Sequence, residues 1–251
     1  MCVKKASEKI FISGCYDGSI KKWDIETGEC LFTINEHSKV VMDILIISNN
    51  RFITCSGDKT IKLFDLNTFQ CIRTFIGHEN EVNSIDKISN DEIVSCSSDE
   101  TIWIWNLNSG ECLRVLQGHS KPIFCVKLFS EDKIISGACD EIKVWTIKTG
   151  NCLMTLLGHS DFVNSIVKLS RDQIASCSSD KTIKIWNVKI GQCLKTIEAH
   201  SDKVYKLAKL SKDKIMSCSR DKTIKVWDIE TGLCLHTLGG HGDCVSCVDF
   251  F

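Results

Sequence analysis

The chain has little that would interrupt a folded domain. Among its 251 residues there is one proline, Pro122, and there is no tract rich in serine, glycine or a single charge. Such tracts are typical of linkers and disordered tails, so their absence from the sequence predicts a chain that folds along its whole length. No apolar run approaches the roughly 20 residues that cross a bilayer. The charged start, Met1 to Lys5, is not followed by the apolar segment of a secretory leader.

The sequence also lacks an excess of either charge. The sequence carries 31 basic and 32 acidic residues, which gives a formal net charge of -1. Attraction to nucleic acid or to an anionic membrane normally needs a clear excess of positive charge. We therefore expect neither a nucleic acid nor a membrane among the partners, although a local charged patch stays possible.

A repeat of 40 or 41 residues runs through the sequence, and it decides the fold. A histidine, an aromatic residue and an aspartate each recur once per repeat. The histidines are His37, His78, His119, His159, His200 and His241; the aromatic residues are Trp23, Phe64, Trp105, Trp145, Trp186 and Trp227; the aspartates are Asp17, Asp58, Asp99, Asp140, Asp180 and Asp221.

One period contains four short segments with the pattern of β-strands, which we name strands a to d. They are rich in apolar and β-branched residues, and turn residues separate them. In the period that begins at His159 they cover residues 163–169, 173–177, 182–186 and 192–197. Short, evenly spaced strands of this kind favour four-stranded antiparallel blades repeated around an axis.

The repeats resemble the WD-repeat β-propeller family. Gly-His stands at 77–78, 118–119, 158–159 and 240–241, and Trp-Asp stands at 23–24 and 227–228. The resemblance implies an all-β propeller of four-stranded antiparallel blades. The main departure is Phe64, which replaces the tryptophan of the second repeat, so we expect the second blade to be the weakest.

The resemblance covers the chain as a single domain, 1–251. The predicted blades span about 1–35, 36–76, 77–117, 118–157, 158–198 and 199–239, with 240–251 as a closing strand. The two ends complement each other, since the first blade has no preceding histidine and His241 has no following blade. We favour six blades closed by a contact between His241 and the first blade. The alternative is a seven-bladed ring that lacks most of one blade.

The recurring polar residues are expected to form a structural tetrad in each blade. The loop between strands d and a and the turn between strands b and c emerge at the same end of a blade, so histidine meets aspartate there. A strand b serine and the indole of strand c extend the hydrogen-bond chain. The predicted tetrads are His78, Ser95, Asp99 and Trp105; His119, Ser136, Asp140 and Trp145; His159, Ser176, Asp180 and Trp186; His200, Ser217, Asp221 and Trp227; and His241, Ser13, Asp17 and Trp23.

Histidine, serine and aspartate are also the members of a hydrolase triad, but repetition argues against catalysis. A triad needs one nucleophile beside an oxyanion hole, whereas this set recurs in every repeat with a tryptophan donor. The sequence has no phosphate-binding glycine loop, paired zinc motif or nucleotide fingerprint. We therefore expect no enzyme activity, no cofactor and no bound metal.

The 16 cysteines are largely periodic, which indicates packing. Strands b and d are separated by strand c, so their cysteines should lie about 9 to 10 Å apart, beyond the reach of a disulfide. We expect buried, unpaired thiols, which favour the cytoplasm or the nucleus. Cys244 and Cys247 are interpreted as structural. The strand d positions are Cys30, Cys71, Cys112, Cys152, Cys193 and Cys234, and the strand b positions are Cys55, Cys96, Cys177 and Cys218.

Function must lie at positions that vary while the framework repeats. Such positions flank the apolar residue four places after each histidine, or directly precede the turn aspartate. The resemblance implies that they surround the channel mouth and bind peptides. The predicted protein-binding rim comprises Tyr16, Val40, Met42, Glu81, Asn83, Phe124, Phe162, Asn164, Lys203, Tyr205 and Arg220.

The leading hypothesis is therefore a non-enzymatic scaffold that binds partner proteins or peptides at this rim. One alternative is an architectural subunit that uses the sides of its blades. Another is a recognition module for phosphorylated or acidic motifs, because the pattern Gly-x-Cys-Leu-x-x-Leu-x-Gly-His, as in 110–119, resembles substrate-binding propellers of ubiquitin ligases.

Overall fold

A computed structural model of the protein describes residues 2–248 and confirms the predicted all-β class. These residues form 23 strands and no helix. Accordingly, this part of the chain contains no helix long and apolar enough to cross a membrane. The described residues group into two compact units, 2–128 and 129–248. The organisation as one propeller stays a prediction.

The first unit contains three four-stranded antiparallel sheets, one for each of the first three repeats. In every sheet the strands are paired in sequence order, as expected for strands a to d. The strands are β1 Cys2–Lys5, β2 Ile10–Gly14, β3 Ile20–Asp24 and β4 Cys30–Ile34; β5 Val41–Ser48, β6 Arg51–Ser56, β7 Ile61–Asp65 and β8 Cys71–Phe75; β9 Val82–Lys87, β10 Glu92–Ser97, β11 Ile102–Asn106 and β12 Cys112–Leu116. Strand β13, Cys125–Ser130, spans the division between the units.

The second unit continues the same antiparallel order through repeats four to six. Its strands are β14 Lys133–Gly137, β15 Cys139–Thr146, β16 Cys152–Lys168, β17 Gln173–Ser178, β18 Thr182–Asn187 and β19 Gln192–Glu198; and β20 Val204–Lys209, β21 Lys214–Ser219, β22 Ile224–Asp228 and β23 Cys234–Leu238.

Strand β16 differs from the predicted pattern because it serves two repeats. Its first part pairs with β15 as strand d of repeat four, and its second part pairs with β17 as strand a of repeat five. Cys139 of β15 is paired with Phe162 of β16. The other repeats break the strand between these two parts.

Side chains at the turns fix where the strands end. At the turn between strands c and d, Asp24 Oδ1 accepts hydrogen bonds from the backbone N–H groups of Glu26 and Thr27. Asn106 and Asn187 do the same with their amide oxygens, so these replacements of aspartate keep the turn. Thr146 instead bonds its hydroxyl to that of Thr149.

The hydrophobic core lies between consecutive sheets. Between repeats two and three, Ile53 and Leu63 pack with Ile85 and Trp105, and all four side chains are buried. Between repeats five and six, Ile183 packs in one cluster with Ile215 and Trp227. Within each unit, these neighbouring sheets therefore depend on each other for the burial of their apolar faces.

The expectation that all periodic cysteines are buried was wrong for strand d. The strand b cysteines are buried as expected, but Cys30, Cys112, Cys152, Cys193 and Cys234 are exposed and Cys71 is partly exposed. Strand d is the outermost strand of its sheet in five of the repeats, so the side of the strand that carries these thiols faces solvent. Each thiol donates to a carbonyl two residues on, as Cys112 does to Arg114.

The predicted closing strand over 240–251 lies partly outside the described residues. Residues 239–248 form no strand. Val245 N nevertheless donates to Ser219 O at 3.0 Å, as Val41 N does to Cys15 O in the first unit. The tail therefore begins in the position of a strand a.

Candidate functional site

The predicted tetrad is present as a hydrogen-bond chain within repeats three, five and six. In repeat three, Trp105 Nε1 donates to Ser95 Oγ at 2.8 Å. Ser95 Oγ lies 2.7 Å from His78 Nε2, and His78 Nδ1 lies 2.7 Å from Asp99 Oδ2. The tetrads of His159 and His200 have the same contacts within 0.1 Å.

Burial and hydrogen bonds set the protonation states of the aspartate and histidine in this hydrogen-bond network. Burial raises the pKa of Asp99, but the hydrogen bonds from His78 and Thr101 outweigh burial and hold it well below the usual range. In repeat six, the hydrogen bonds from Thr223 and His200 outweigh burial and lower the pKa of Asp221 to about 2. Burial lowers the pKa of His200, so its imidazole is neutral at pH 7.

In repeat six, the neutral His200 beside the ionised Asp221 gives this hydrogen-bond network one direction. The histidine donates from Nδ1 to the carboxylate, so its Nε2 accepts the serine proton, and the serine oxygen accepts the indole N–H. Ser95, Ser176 and Ser217 are each 0% exposed, so no substrate reaches their hydroxyls. These tetrads hold the blades together and offer no nucleophile.

Repeat two keeps the polar contacts without the indole. His37 Nδ1 lies 2.8 Å from Asp58 Oδ2, and His37 Nε2 lies 2.7 Å from the hydroxyl of Thr54. Phe64 stacks on Phe52 with ring centroids 4.9 Å apart. Sequence reasoning missed Thr54, although it stands in the register of the tetrad serines.

Repeat four differs at its turn between strands b and c, which is one residue shorter than in repeat three. Asp140 itself has a positive φ of 68°, a conformation that Lys59, Glu100, Lys181 and Lys222 adopt in other repeats. No threonine follows Asp140, whereas Asp99 is held by the hydroxyl of Thr101. Trp145 Nε1 donates to Ser136 Oγ at 2.8 Å in the second unit. His119 is buried in the first unit.

The residues of the predicted closing tetrad lie in different units. In the first unit, Trp23 Nε1 donates to Ser13 Oγ at 2.8 Å, and Asp17 is exposed. In the second unit His241 is exposed, whereas the loop histidines of the other repeats are buried. The predicted contact of His241 with Ser13 and Asp17 stays a prediction.

In the first unit, the predicted rim residues are unequally exposed. Tyr16 is 75% exposed, while Val40, Met42, Glu81 and Phe124 are partly buried. Met42 packs against the core between repeats two and three. Gly57 occupies the position that Tyr16 has in repeat one, and a Cβ built on it would lie 3.2 Å from Val40. In the first unit, therefore, Tyr16 is the most exposed of these rim residues, and the others, most of them apolar, are partly buried.

In the second unit, the rim combines aromatic and basic groups. Phe162, Lys203 and Tyr205 are partly exposed, and Arg220 is exposed. The nearest carboxylate to Arg220 is that of Asp202, with 3.8 Å between Nε and Oδ2. Arg220 N donates to Lys203 O at 2.9 Å, which places the backbones of these two basic residues side by side.

Asn83 and Asn164 link neighbouring repeats and are not free to bind a partner through their amides. Asn164 Nδ2 donates to Ser179 Oγ at 3.0 Å and to Val204 O at 2.8 Å. Asn83 makes the matching pair of bonds, to Ser98 and Ile123, and is 7% exposed. We therefore interpret both as structural. Their equal place in two repeats was the sequence signal for this role.

Comparison with known proteins agrees with the geometry of the repeats. A family model described as WD40, "WD domain, G-beta repeat", matches residues 2–24, 28–65, 69–106, 110–146, 150–187 and 191–228. These six matches cover most of the chain. No curated protein matches the sequence.

Proposed function

Because the chain belongs to the WD40-repeat family, whose members generally serve as protein–protein interaction scaffolds and not as enzymes, we propose that its rim binds a partner peptide. The proposed site lies in the second unit and consists of Phe162, Lys203, Tyr205 and Arg220. The peptide presents an apolar side chain and an acidic or phosphorylated residue.

The main support for this proposal is the contrast between the constant residues of the framework and the variable residues of the rim. The residue four places after each histidine is always valine or isoleucine, and in repeats two to six it is buried. The residues that flank it vary in chemistry from repeat to repeat, except that asparagine follows it in repeats three and five. Packing explains the constant position and leaves the variable ones for recognition.

The hydrogen bonds of the second unit link the backbone segments that carry these variable side chains. Asn164 donates to the carbonyl of Val204, the residue between Lys203 and Tyr205. Phe162 is two residues before Asn164, and its carbonyl accepts from Ser179 N at 2.9 Å. This link between the segments of repeats five and six supports a single site that both repeats share.

The chemistry of these groups selects the ligand. Arg220 pairs only loosely with Asp202, and its side chain is 57% exposed, so a carboxylate or phosphate can bind its guanidinium. Aromatic groups that become buried on binding contribute most of the affinity at protein interfaces. Phe162 and Tyr205 would supply the apolar anchor.

The test is affinity capture of partners with the variants Phe162→Ala, Tyr205→Ala and Arg220→Ala. Each should melt within a few degrees of the wild type, and each should recover far less of the partner. Truncation of a central anchor typically costs about 2 kcal/mol, which is more than tenfold in affinity. Phosphatase treatment of the partner separates a phosphorylated motif from an acidic one.

Arg171→Ala is the matched control. Arg171 is an exposed arginine in the same unit, in the turn between strands a and b at the opposite end of the blade. It should bind partners as the wild type does. If the three rim variants also bind every partner, the binding surface lies elsewhere.

A second candidate function is favoured by the outer strands. Each repeat exposes one aliphatic side chain directly after its strand d cysteine, and these are Leu31, Ile72, Leu113, Leu153, Leu194 and Leu235, each 40% to 51% exposed. An architectural subunit would use such positions for contacts along the blade sides. Rim variants that keep their partners, with loss on Leu153→Asn or Leu194→Asn, would support it.

A further inference from the structure

The side of repeat three breaks a pattern that the other five repeats obey. In each of those, a lysine on strand c is paired with a threonine on strand d. In repeat three the same positions hold Trp103 and Val115. The polar pairs are Lys21 with Thr33, Lys62 with Thr74, Lys143 with Thr155, Lys184 with Thr196 and Lys225 with Thr237.

The exchange replaces a cation and a hydroxyl by apolar surface that stays accessible. Val115 is 40% exposed, Leu113 on the same side of β12 is 46% exposed, and Ile76 in the preceding loop is 76% exposed. Trp103 is partly exposed. We call Ile76, Trp103, Leu113 and Val115 the repeat-three patch.

Trp103 is held firmly in this patch. Its ring stacks on Trp105 with centroids 4.9 Å apart, and its Nε1 donates to Thr101 Oγ1 at 2.8 Å. Gly77 lets the ring approach, because a Cβ there would lie only 2.3 Å from Trp103 Cζ3. With its N–H satisfied, the indole offers a partner only its apolar surface and π-electrons.

Two carboxylates border the patch, and repeat five has neither of them. Glu79 follows His78, whose ring lies 5.1 Å from that of Trp103, and Glu100 precedes the Thr101 that holds the indole. Both are exposed, and neither has an ion-pair partner among residues 2–248. The matching residues of repeat five are Ser160 and Lys181. Repeat three is therefore both more apolar and more negative than its equivalents.

We infer that the repeat-three patch is a binding site for an extended basic segment of a partner protein, in which arginine or lysine alternates with aliphatic residues. The cation packs on Trp103 and pairs with Glu79 or Glu100, and the aliphatic side chains cover Val115 and Leu113. Charge complementarity decides for a basic segment over an acidic one.

The strand arrangement favours an extended ligand. β12 is the outermost strand of its sheet, so one of its edges has no neighbour within that sheet. An added strand takes main-chain hydrogen bonds from such an edge, and its alternate side chains lie on one face. This site is independent of the rim.

The test uses fluorescein-labelled twelve-residue peptides in which arginine, lysine or glutamate alternates with leucine and valine. Because the proposed rim site would also bind the glutamate peptide, this comparison uses the full chain with Arg220→Ala. Fluorescence anisotropy should show that the arginine and lysine peptides bind this variant at least about tenfold more tightly than the glutamate peptide. The double variant Trp103→Lys with Val115→Thr restores the pair of the other five repeats, and it should weaken binding by about tenfold or more. Glu79→Ser with Glu100→Lys should do the same.

Repeat five provides the controls. Lys184→Ala with Thr196→Ala changes the matching positions there and should leave binding unchanged, as should Arg220→Ala at the rim. Conversely, Ser160→Glu, Lys181→Glu, Lys184→Trp and Thr196→Val together should create a second site, because repeat five has the matching Gly158 and Thr182. Equal binding by the wild type and the Trp103→Lys, Val115→Thr variant, no preference for basic peptides, or no binding by any peptide would each overturn the inference.

Discussion

Single buried side chains set the response of this protein to acid. Burial lowers the pKa of His200 below its ordinary value of 6.5, because the imidazolium is poorly solvated there. The unfolded chain therefore binds a proton more readily than the folded one below pH 6.5. The stability that comes from the neutral imidazole is complete above that pH and declines as the pH falls.

The predicted result is a free energy of unfolding that declines from pH 6.5 to pH 5, with a smaller slope in His200→Gln than in the wild type. Denaturant titrations at several pH values measure this slope. A second decline should follow between about pH 4 and pH 2, since the pKa of Asp221 is lowered from 3.8 to about 2. Identical slopes for the wild type and the variant from pH 6.5 to 5 would show that His200 does not titrate on unfolding.

Thiol reactivity also follows from individual positions. Six cysteines are exposed, namely Cys30, Cys112, Cys152, Cys193, Cys234 and Cys244, and six are buried. Burial raises the pKa of Cys218 to about 12 and those of Cys55 and Cys96 well above their ordinary value, which suppresses their thiolates.

Labelling with a thiol reagent should therefore occur in two phases. The six exposed thiols should react first in the native protein, and the six buried thiols should react only after denaturation. Together with the four partly exposed thiols, the total after denaturation should be all 16. Mass spectrometry of the labelled peptides assigns each phase. Rapid native labelling of Cys55 or Cys96 would contradict the packing of strand b.

At the scale of one element, repeat two fills the space between strands b and c with a different pair of side chains from repeats three to six. In repeats three to six the tetrad tryptophan is paired with an isoleucine on strand b, such as Ile93 with Trp105 and Ile174 with Trp186. Repeat two has Phe52 paired with Phe64. Both phenylalanines are 0% exposed, so the pair fills its space completely.

Phe64→Trp alone should thus destabilise the protein, by about 1 to 3 kcal/mol, because the larger ring overpacks the site. Adding Phe52→Ile should recover that loss and give the indole a bond to Thr54. Denaturant melts of both single variants and the double variant measure the coupling. Additive effects would mean that the two rings do not share one space.

The sequence predicts most elements because each strand carries its own signal. The segments predicted at 173–177, 182–186 and 192–197 agree with β17, β18 and β19 within a residue at each end. It did not predict the continuous strand β16, which depends on the pairing of Cys139 with Phe162 across the shortened turn. Nor did periodicity alone reveal that the strand d thiols face solvent, because exposure depends on which strand is outermost.

For the candidate site, the sequence predicted the tetrad residues of the framework better than the contacts that individual rim residues make. Histidine, serine, aspartate and tryptophan recur at fixed spacing, so the hydrogen-bond chain follows from strand order. The roles of Asn83 and Asn164 did not follow, because their amides bond to the next repeat along the chain. Whether such a residue faces a partner or a neighbouring sheet is decided by packing between repeats.

At the scale of the whole molecule, the main prediction is that His241 supplies a histidine to the first repeat. Six repeats are consistent with a six-bladed propeller, and the repeat spacing predicts that His241 serves as the histidine of the first repeat. In the second unit, Leu238 is 51% exposed, whereas Phe75, Leu116, Leu156 and Ile197 at the same strand d position are buried. An exposed apolar side chain and the exposed His241 thus both lie at the end of the sixth repeat.

We propose that His241 completes a tetrad with Ser13, Asp17 and Trp23. His241→Ala should then lower the free energy of unfolding by about 1 to 3 kcal/mol, as His159→Ala should, because each removes the histidine that links the other members of its tetrad. Denaturant melts of the two variants provide the comparison. His236→Ala, an exposed histidine on β23, is the control and should be silent. If His241→Ala is silent as well while His159→Ala is not, the first repeat does not receive its histidine from this chain, and the seven-bladed alternative is favoured.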